Sequence, residues 1–127
     1  MNKSTEKGKN GEKFVAQYLE NKGFKICRTN YHSRYGEIDI ICENEKYIVF
    51  VEVKLRRKNS AIRGVECVGK SKKVKIIKTA FVYLINNFCS KQPRFDIAEL
   101  NEDNVDGTLS LNYFENAFDA EVYNAFF

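Results

Sequence analysis

The spacing of apolar and polar residues divides the chain into helices and strands. Phe14, Val15, Tyr18 and Leu19 recur at the interval of one helical face, so residues 12–21 read as an amphipathic helix. Asn21-Lys22-Gly23 ends it, with Gly23 able to take the left-handed conformation that closes a helix. Residues 24–31, 36–42 and 47–55 read as strands, the third being the most apolar stretch of the chain. Residues 56–70 are polar and contain glycine. Ser71 fits an N-cap for a long helix over residues 71–88, with Val74, Ile77, Phe81, Leu84, Ile85 and Phe88 as its apolar face. Gln92-Pro93 reads as a break, residues 94–100 as a strand, Asp106-Gly107 as a turn and residues 108–114 as a last strand. From Asn116 on, a frayed tail or a short helix is expected. The order α-β-β-β-α-β-β predicts an α/β domain with a mixed central β-sheet flanked by helices. Residues 1–127 are expected to form that single domain, with flexible ends at about 1–10 and 116–127.

Alternation along the third strand is interrupted in one place. Val49, Val51, Val53 and Leu55 point to one face, and Ile48, Phe50, Glu52 and Lys54 to the other. A strand apolar on both faces belongs in the middle of a sheet, and charges there are rare unless paired or bound to a metal. In the preceding strand, Asp39 shares a face with Glu37 and Ile41. With Glu45-Lys46 as the hairpin loop, Asn44 pairs with Tyr47 and Asp39 falls directly opposite Glu52. Opposed Cβ atoms stand about 4.5–5.5 Å apart, where like charges destabilise. Either a divalent cation such as Mg²⁺ or Mn²⁺ offsets that repulsion, or Lys54 does so in a buried ion cluster. Strand geometry leaves both readings open.

Charge is distributed unevenly. Asp96 to Phe127 holds eight acidic residues and no Lys or Arg, so all 21 basic residues lie earlier, against nine acids. A basic body of this kind fits a polyanionic partner such as DNA. Arg56, Arg57, Lys58, Arg63, Lys70, Lys72 and Lys73 follow directly on the Glu52–Lys54 strand with only Glu66 among them, and Arg34 and Tyr35 precede the Asp39 strand. These side chains are candidates for phosphate contacts, the alternative being a solvated charged loop. His32 reads as a loop residue and not as a catalytic base. Cys27, Cys42, Cys67 and Cys89 form no C-x-x-C pair, so free thiols are expected. No apolar run reaches the ~20 residues of a membrane span, and residues 1–11 lack the apolar stretch of a signal peptide. A cytoplasmic protein is therefore expected, with no membrane partner.

Gly36-Glu37-Ile38-Asp39 followed by Val51-Glu52-Val53-Lys54 resembles the core of the PD-(D/E)xK nuclease superfamily, which has a restriction-endonuclease-like fold. The chain is similar more closely to the YraN family of bacterial endonuclease-like proteins, relatives of archaeal Holliday-junction resolvases. That likeness runs from Lys7-Gly8-Lys9-Asn10-Gly11-Glu12 to Arg94-Phe95-Asp96-Ile97 and covers about residues 5–118. It implies that Asp39, Glu52 and the Val53 carbonyl ligate Mg²⁺ or Mn²⁺. It implies that Lys54 orients the attacking water or stabilises developing charge, and that Glu12 is a further ligand or supports one. Helical spacing agrees that Glu12 can face inward with Val15 and Leu19, although an acid near a helix N-terminus is favourable in its own right. The superfamily's Pro-Asp is Ile38-Asp39 here. The expected activity is metal-dependent hydrolysis of phosphodiester bonds in DNA, branched or structured DNA by resemblance, and a homodimer would suit paired cuts. The alternatives are a non-catalytic nucleic-acid-binding protein that retains the nuclease fold, and an interaction domain acting through the aromatic, acidic C-terminal end.

Overall fold

The computed structural model describes residues 6–57, 68–103 and 105–123. In chain order these form α1 (Glu6–Asn21), β1 (Lys25–Ser33), β2 (Gly36–Glu43), β3 (Tyr47–Arg57), α2 (Lys70–Asn86), β4 (Gln92–Glu102), β5 (Leu109–Phe118) and α3 (Ala120–Tyr123). The five strands lie in one mixed sheet in the order β1-β2-β3-β4-β5. β3 and β4 run parallel with α2 as their crossover, and the other neighbours are antiparallel. A mixed sheet between two long helices is the restriction-endonuclease-like architecture expected.

Each helix covers one face of the sheet. Val15 and Leu19 of α1 pack on Ile40, Cys42, Val49, Val51, Ala98 and Leu100. The helix lies close to the sheet at Gly11, where a Cβ would come within 2.9 Å of Leu100 Cδ1. Ile76, Ile77, Ala80 and Tyr83 of α2 pack on Ile41, Ile48, Phe50, Phe95 and Ile97 of the opposite face. β3 is buried from both sides over residues 48–52, as its apolar sequence demands. No helix among the described residues is long and apolar enough to cross a membrane.

Several local expectations need correction. The N-cap of α2 is Gly69, in extended conformation and without a side-chain cap, and not Ser71. Val68, 3% exposed, anchors the helix entry in the core and makes a polar cap dispensable. The buried face of α2 is turned from the expected one: Ile85 is 70% and Phe88 94% exposed. The helix ends at Asn86, and Phe88, at φ 48°, follows it into solvent. Gln92-Pro93 begins β4, where a residue without an N–H is tolerated at a strand start. β5 continues through Asn116 to Phe118 by means of a bulge opposite Asp96, and the short α3 follows.

Candidate functional site

The site forms where β2 and β3 part. The hairpin has the register expected from its loop, pairing Glu43 with Ile48 through to Ile40 with Val51. Beyond that point the ladder stops, and β3 continues in parallel with β4 as far as Arg57↔Glu102. The Val53 N–H, freed from β2's backbone, donates to Asp39 Oδ2 at 2.8 Å. Asp39 therefore stands in the fork with Glu52, midway along β3, where β2 leaves the ladder and β3 goes on beside β4 alone. The strand pattern is perturbed here: Ile38 joins the core under α2 although Ile40 belongs to the core under α1. On the neighbouring strand Asn30, opposite Asp39 by register, has φ 51°.

Glu52 is 4% exposed and carries two ammonium groups on one oxygen. Lys72 Nζ lies 3.3 Å from Oε2 and Lys54 Nζ lies 3.7 Å from it. Burial, then the charge of Asp39, pushes the Glu52 carboxyl up to about 7, against the pull of Lys72 and Lys54. Burial also raises Asp39, with the Val53 hydrogen bond opposing. The two carboxyls are close enough to share a hydrogen bond once one holds a proton. Because the folded state binds this proton more tightly than the unfolded chain, the associated stability is fully present below the ordinary value near 4.5 and is lost as pH rises through about 7. Urea midpoints of the metal-free protein should therefore show a loss over that window, and Glu52→Gln should flatten it. An unchanged profile in the variant would remove the pair as its source.

The structure thus brings Asp39, Glu52 and Lys54 together and adds Lys72, which the sequence suggested only as a phosphate contact. Its signal was faint: a lysine in the first turn of the crossover helix that follows the Glu52 strand. Glu12 joins the site at one remove, its Oε1 accepting from Asn30 Nδ2 at 3.2 Å. Glu99, 1% exposed, is a further buried acid that the strand pattern did not single out. It pairs by register with Lys54 and accepts from Asn112 Nδ2 at 3.0 Å. Among the described residues no three His, Cys, Asp or Glu side chains gather as a metal cluster, so a cation at Asp39 and Glu52 would draw further oxygens from backbone, water or substrate.

The basic candidates divide. Arg34 stacks on Tyr35 at 5.1 Å from the ring centroid, on the β1–β2 hairpin. Arg56 donates to Asn101 Oδ1 at 3.3 Å, beyond Lys54 on β3. Lys70 is exposed at the start of α2. Lys73 lies over the Phe118 ring, 5.6 Å from its centroid. Lys58, Arg63 and the side chain of Arg57 lie outside the described residues. His32 belongs to β1, with Nδ1 3.5 Å from Glu37 Oε1. Cys27, Cys42 and Cys89 are free thiols. A groove of about 520 Å³ between α2 and β4–β5, lined by Ala80, Phe81, Leu84, Phe95 and Phe118 among others, includes none of Asp39, Glu52 and Lys54.

Another buried carboxylate is Asp96, fully enclosed on β4. Arg94 clasps both its oxygens through Nε at 3.0 Å and a terminal nitrogen at 2.8 Å. Tyr113 donates its hydroxyl at 2.6 Å, and the Asn116 N–H in the β5 bulge donates at 2.9 Å. Burial and Asp96 hold the Tyr113 phenol far above its ordinary range. With its partners fully committed, this cluster reads as a pin between β4 and β5.

Comparison with known proteins adds a family. The model described as "Uncharacterised protein family UPF0102" matches residues 11–100. A UPF0102 protein of Sulfurihydrogenibium sp. is 42% identical over 118 residues, 92% of this chain and 97% of its own. One from Caldanaerobacter subterraneus subsp. tengcongensis is 44% identical over 120 residues, 93% and 98% of the two chains. One from Clostridioides difficile is 45% identical over 96 residues, 75% and 84% of the two.

Proposed function

The chain belongs to the UPF0102 family, the YraN family of the sequence resemblance, and we propose that it is a divalent-cation-dependent endonuclease that hydrolyses phosphodiester bonds in DNA. The observation that carries this reading is the Asp39–Glu52 pair, two carboxyls facing each other in a largely buried fork with lysine ammonium groups beside them. Burial raises both acids, with the charge of Glu37 adding to it at Asp39 and the charge of Asp39 adding to it at Glu52, and a doubly charged ion bound between them would reverse that penalty. Their hard oxygens, with the Val53 carbonyl, suit Mg²⁺ or Mn²⁺. When bound, such a cation lowers the pKa of a water and polarises the phosphoryl group. Lys54, partly exposed beside Glu52, stabilises the charge that develops on the phosphoryl oxygens or orients the attacking water. Lys72 favours the ionised form of Glu52 and offers a second positive group to the incoming phosphate. Glu12 acts through Asn30 to hold β1 against Asp39. Branched or structured DNA is the substrate class to test first, and a homodimer would supply two such sites for paired cuts.

One observation favours a second reading. Lys54 and Lys72 both already lie on Glu52 Oε2, so the acids are partly neutralised without a cation. In that reading the protein binds nucleic acid without cutting it. Isothermal titration of Mn²⁺ into wild type and Asp39→Asn, with cleavage assays on flaps, four-way junctions and single strands, separates the two. Binding and cleavage that the variant loses support the endonuclease. DNA binding that persists in both proteins, with neither Mn²⁺ uptake nor cleavage in wild type, leaves the non-catalytic module.

A further inference from the structure

Beyond Lys72, the same side of α2 carries Lys75 and Lys78, and three-residue steps place neighbours on one helix face about 4.5 Å apart along the axis. The β1–β2 hairpin docks against this stretch. Ser33 Oγ and the buried Thr79 Oγ1 are 2.8 Å apart, and a Cβ on Gly36 would stand 3.4 Å from Lys75 Cβ. Docking brings Tyr35 to Lys78, whose Nζ is 5.6 Å from the ring centroid, while Arg34 approaches the same ring at 5.1 Å. Two cations from different elements thus converge on one half-exposed ring. Among the described residues, no carboxylate lies within ion-pair distance of Arg34, Lys75 or Lys78, whereas Lys72, Lys54, Lys91 and Arg94 all have one. Gathering like charges without a counter-charge is unfavourable for the protein alone and favourable once an anion arrives.

We infer that Lys75, Lys78 and the Arg34–Tyr35 hairpin tip form a phosphate-binding track that holds one arm of a nucleic acid leading away from the carboxylate fork. The inference rests on the nucleic-acid reading above and adds where the substrate runs. The fork lies at one end of the track, with Lys72 as the link between Glu52 and the outer lysines. Each outer cation contacts phosphate, so affinity falls without change of sequence preference when one is removed.

The test is the salt dependence of binding. A fluorescein-labelled DNA junction and a plain duplex are titrated with wild type, Lys75→Gln/Lys78→Gln and Arg34→Gln in EDTA, which separates binding from cleavage. Lys91→Gln serves as control, because its partner Glu43 lies 3.1 Å away at the other end of β2. Thermal unfolding verifies that each variant folds; Lys75 is exposed and Lys78 only partly buried. For duplex DNA, the double variant should reduce the slope of log K against log salt by about 1.8, roughly 0.9 for each phosphate that is no longer neutralised. Arg34→Gln should reduce it by about 0.9, and the control should leave it unchanged. Wild-type binding with unaltered slopes in the variants overturns the track and leaves the endonuclease reading standing. Lysine-dependent binding without any cleavage in Mn²⁺ supports the track and overturns hydrolysis. No salt-dependent binding by wild type overturns both.

Discussion

Asp96→Ala should destabilise the protein by about 3–5 kcal/mol, the cost of removing one partner from a buried ion pair. The carboxylate is fully enclosed, and the Arg94 side chain is only 12% exposed. The guanidinium sits 5.5 Å from the Phe24 ring centroid and 5.0 Å from that of Tyr47, so the aromatic rings keep it mostly out of water once Asp96 is gone. Tyr113 Oη and the Asn116 N–H would lose their acceptor in the same step. A domain of this size has roughly 5–15 kcal/mol of total stability, so the variant should be partly unfolded at 37 °C. Urea unfolding followed by circular dichroism measures the effect. Asp96→Asn, which keeps an acceptor oxygen but loses the charge, should fall between wild type and alanine. A loss below about 1 kcal/mol for the alanine variant would show that the pin contributes little.

Glu52→Gln should act in the opposite sense on stability while removing activity. The amide keeps the shape of the carboxyl but cannot repel Asp39. Since the folded protein holds the Glu52 carboxyl near 7, the metal-free variant should be more stable than wild type at pH 8. Cation binding should be abolished. Cleavage should fall on the order of 10³-fold, because charge stabilisation by a bound cation contributes several kcal/mol and each 1.36 kcal/mol is about tenfold. Melting in EDTA and single-turnover cleavage in Mn²⁺ read the two effects separately. A variant that is less stable without metal and cleaves at the wild-type rate would contradict both arms. Loss of function coupled to gain of stability is the pattern expected where a site stores electrostatic strain.

The Asp39–Glu52 pair was legible in the sequence because the two-residue loop Glu45-Lys46 sets the hairpin register and alternation agrees with it. A slip of one residue would have turned Ile41 and Phe50 away from α2. What alternation cannot express is a place where it fails. Asn30 looks like an ordinary strand residue, yet takes φ 51° opposite Asp39. Asn116 looks like the start of a tail, yet its N–H closes a bulge on Asp96 from 20 residues away. Lys72 was hidden differently: its distance from Glu52 depends on how α2 docks, and that is set by Val68, Ile76 and Ile77 in the core. The start of α2 was misplaced for a related reason, since side-chain capping favours Ser71 where burial of Val68 decides the entry.

The strand order of the sheet also bears on how the chain can be assembled. Each strand pairs with its predecessor in sequence, so during synthesis from the N-terminus every new strand meets a partner that has already left the ribosome. Three of the four junctions are antiparallel contacts between consecutive strands, and only β3–β4 must wait for a helix to be made between them. Closing that one loop carries the largest entropic cost of any strand pairing in the sheet. It is also the event that brings Lys72 to Glu52, so the polypeptide completes its carboxylate fork only at its slowest topological step.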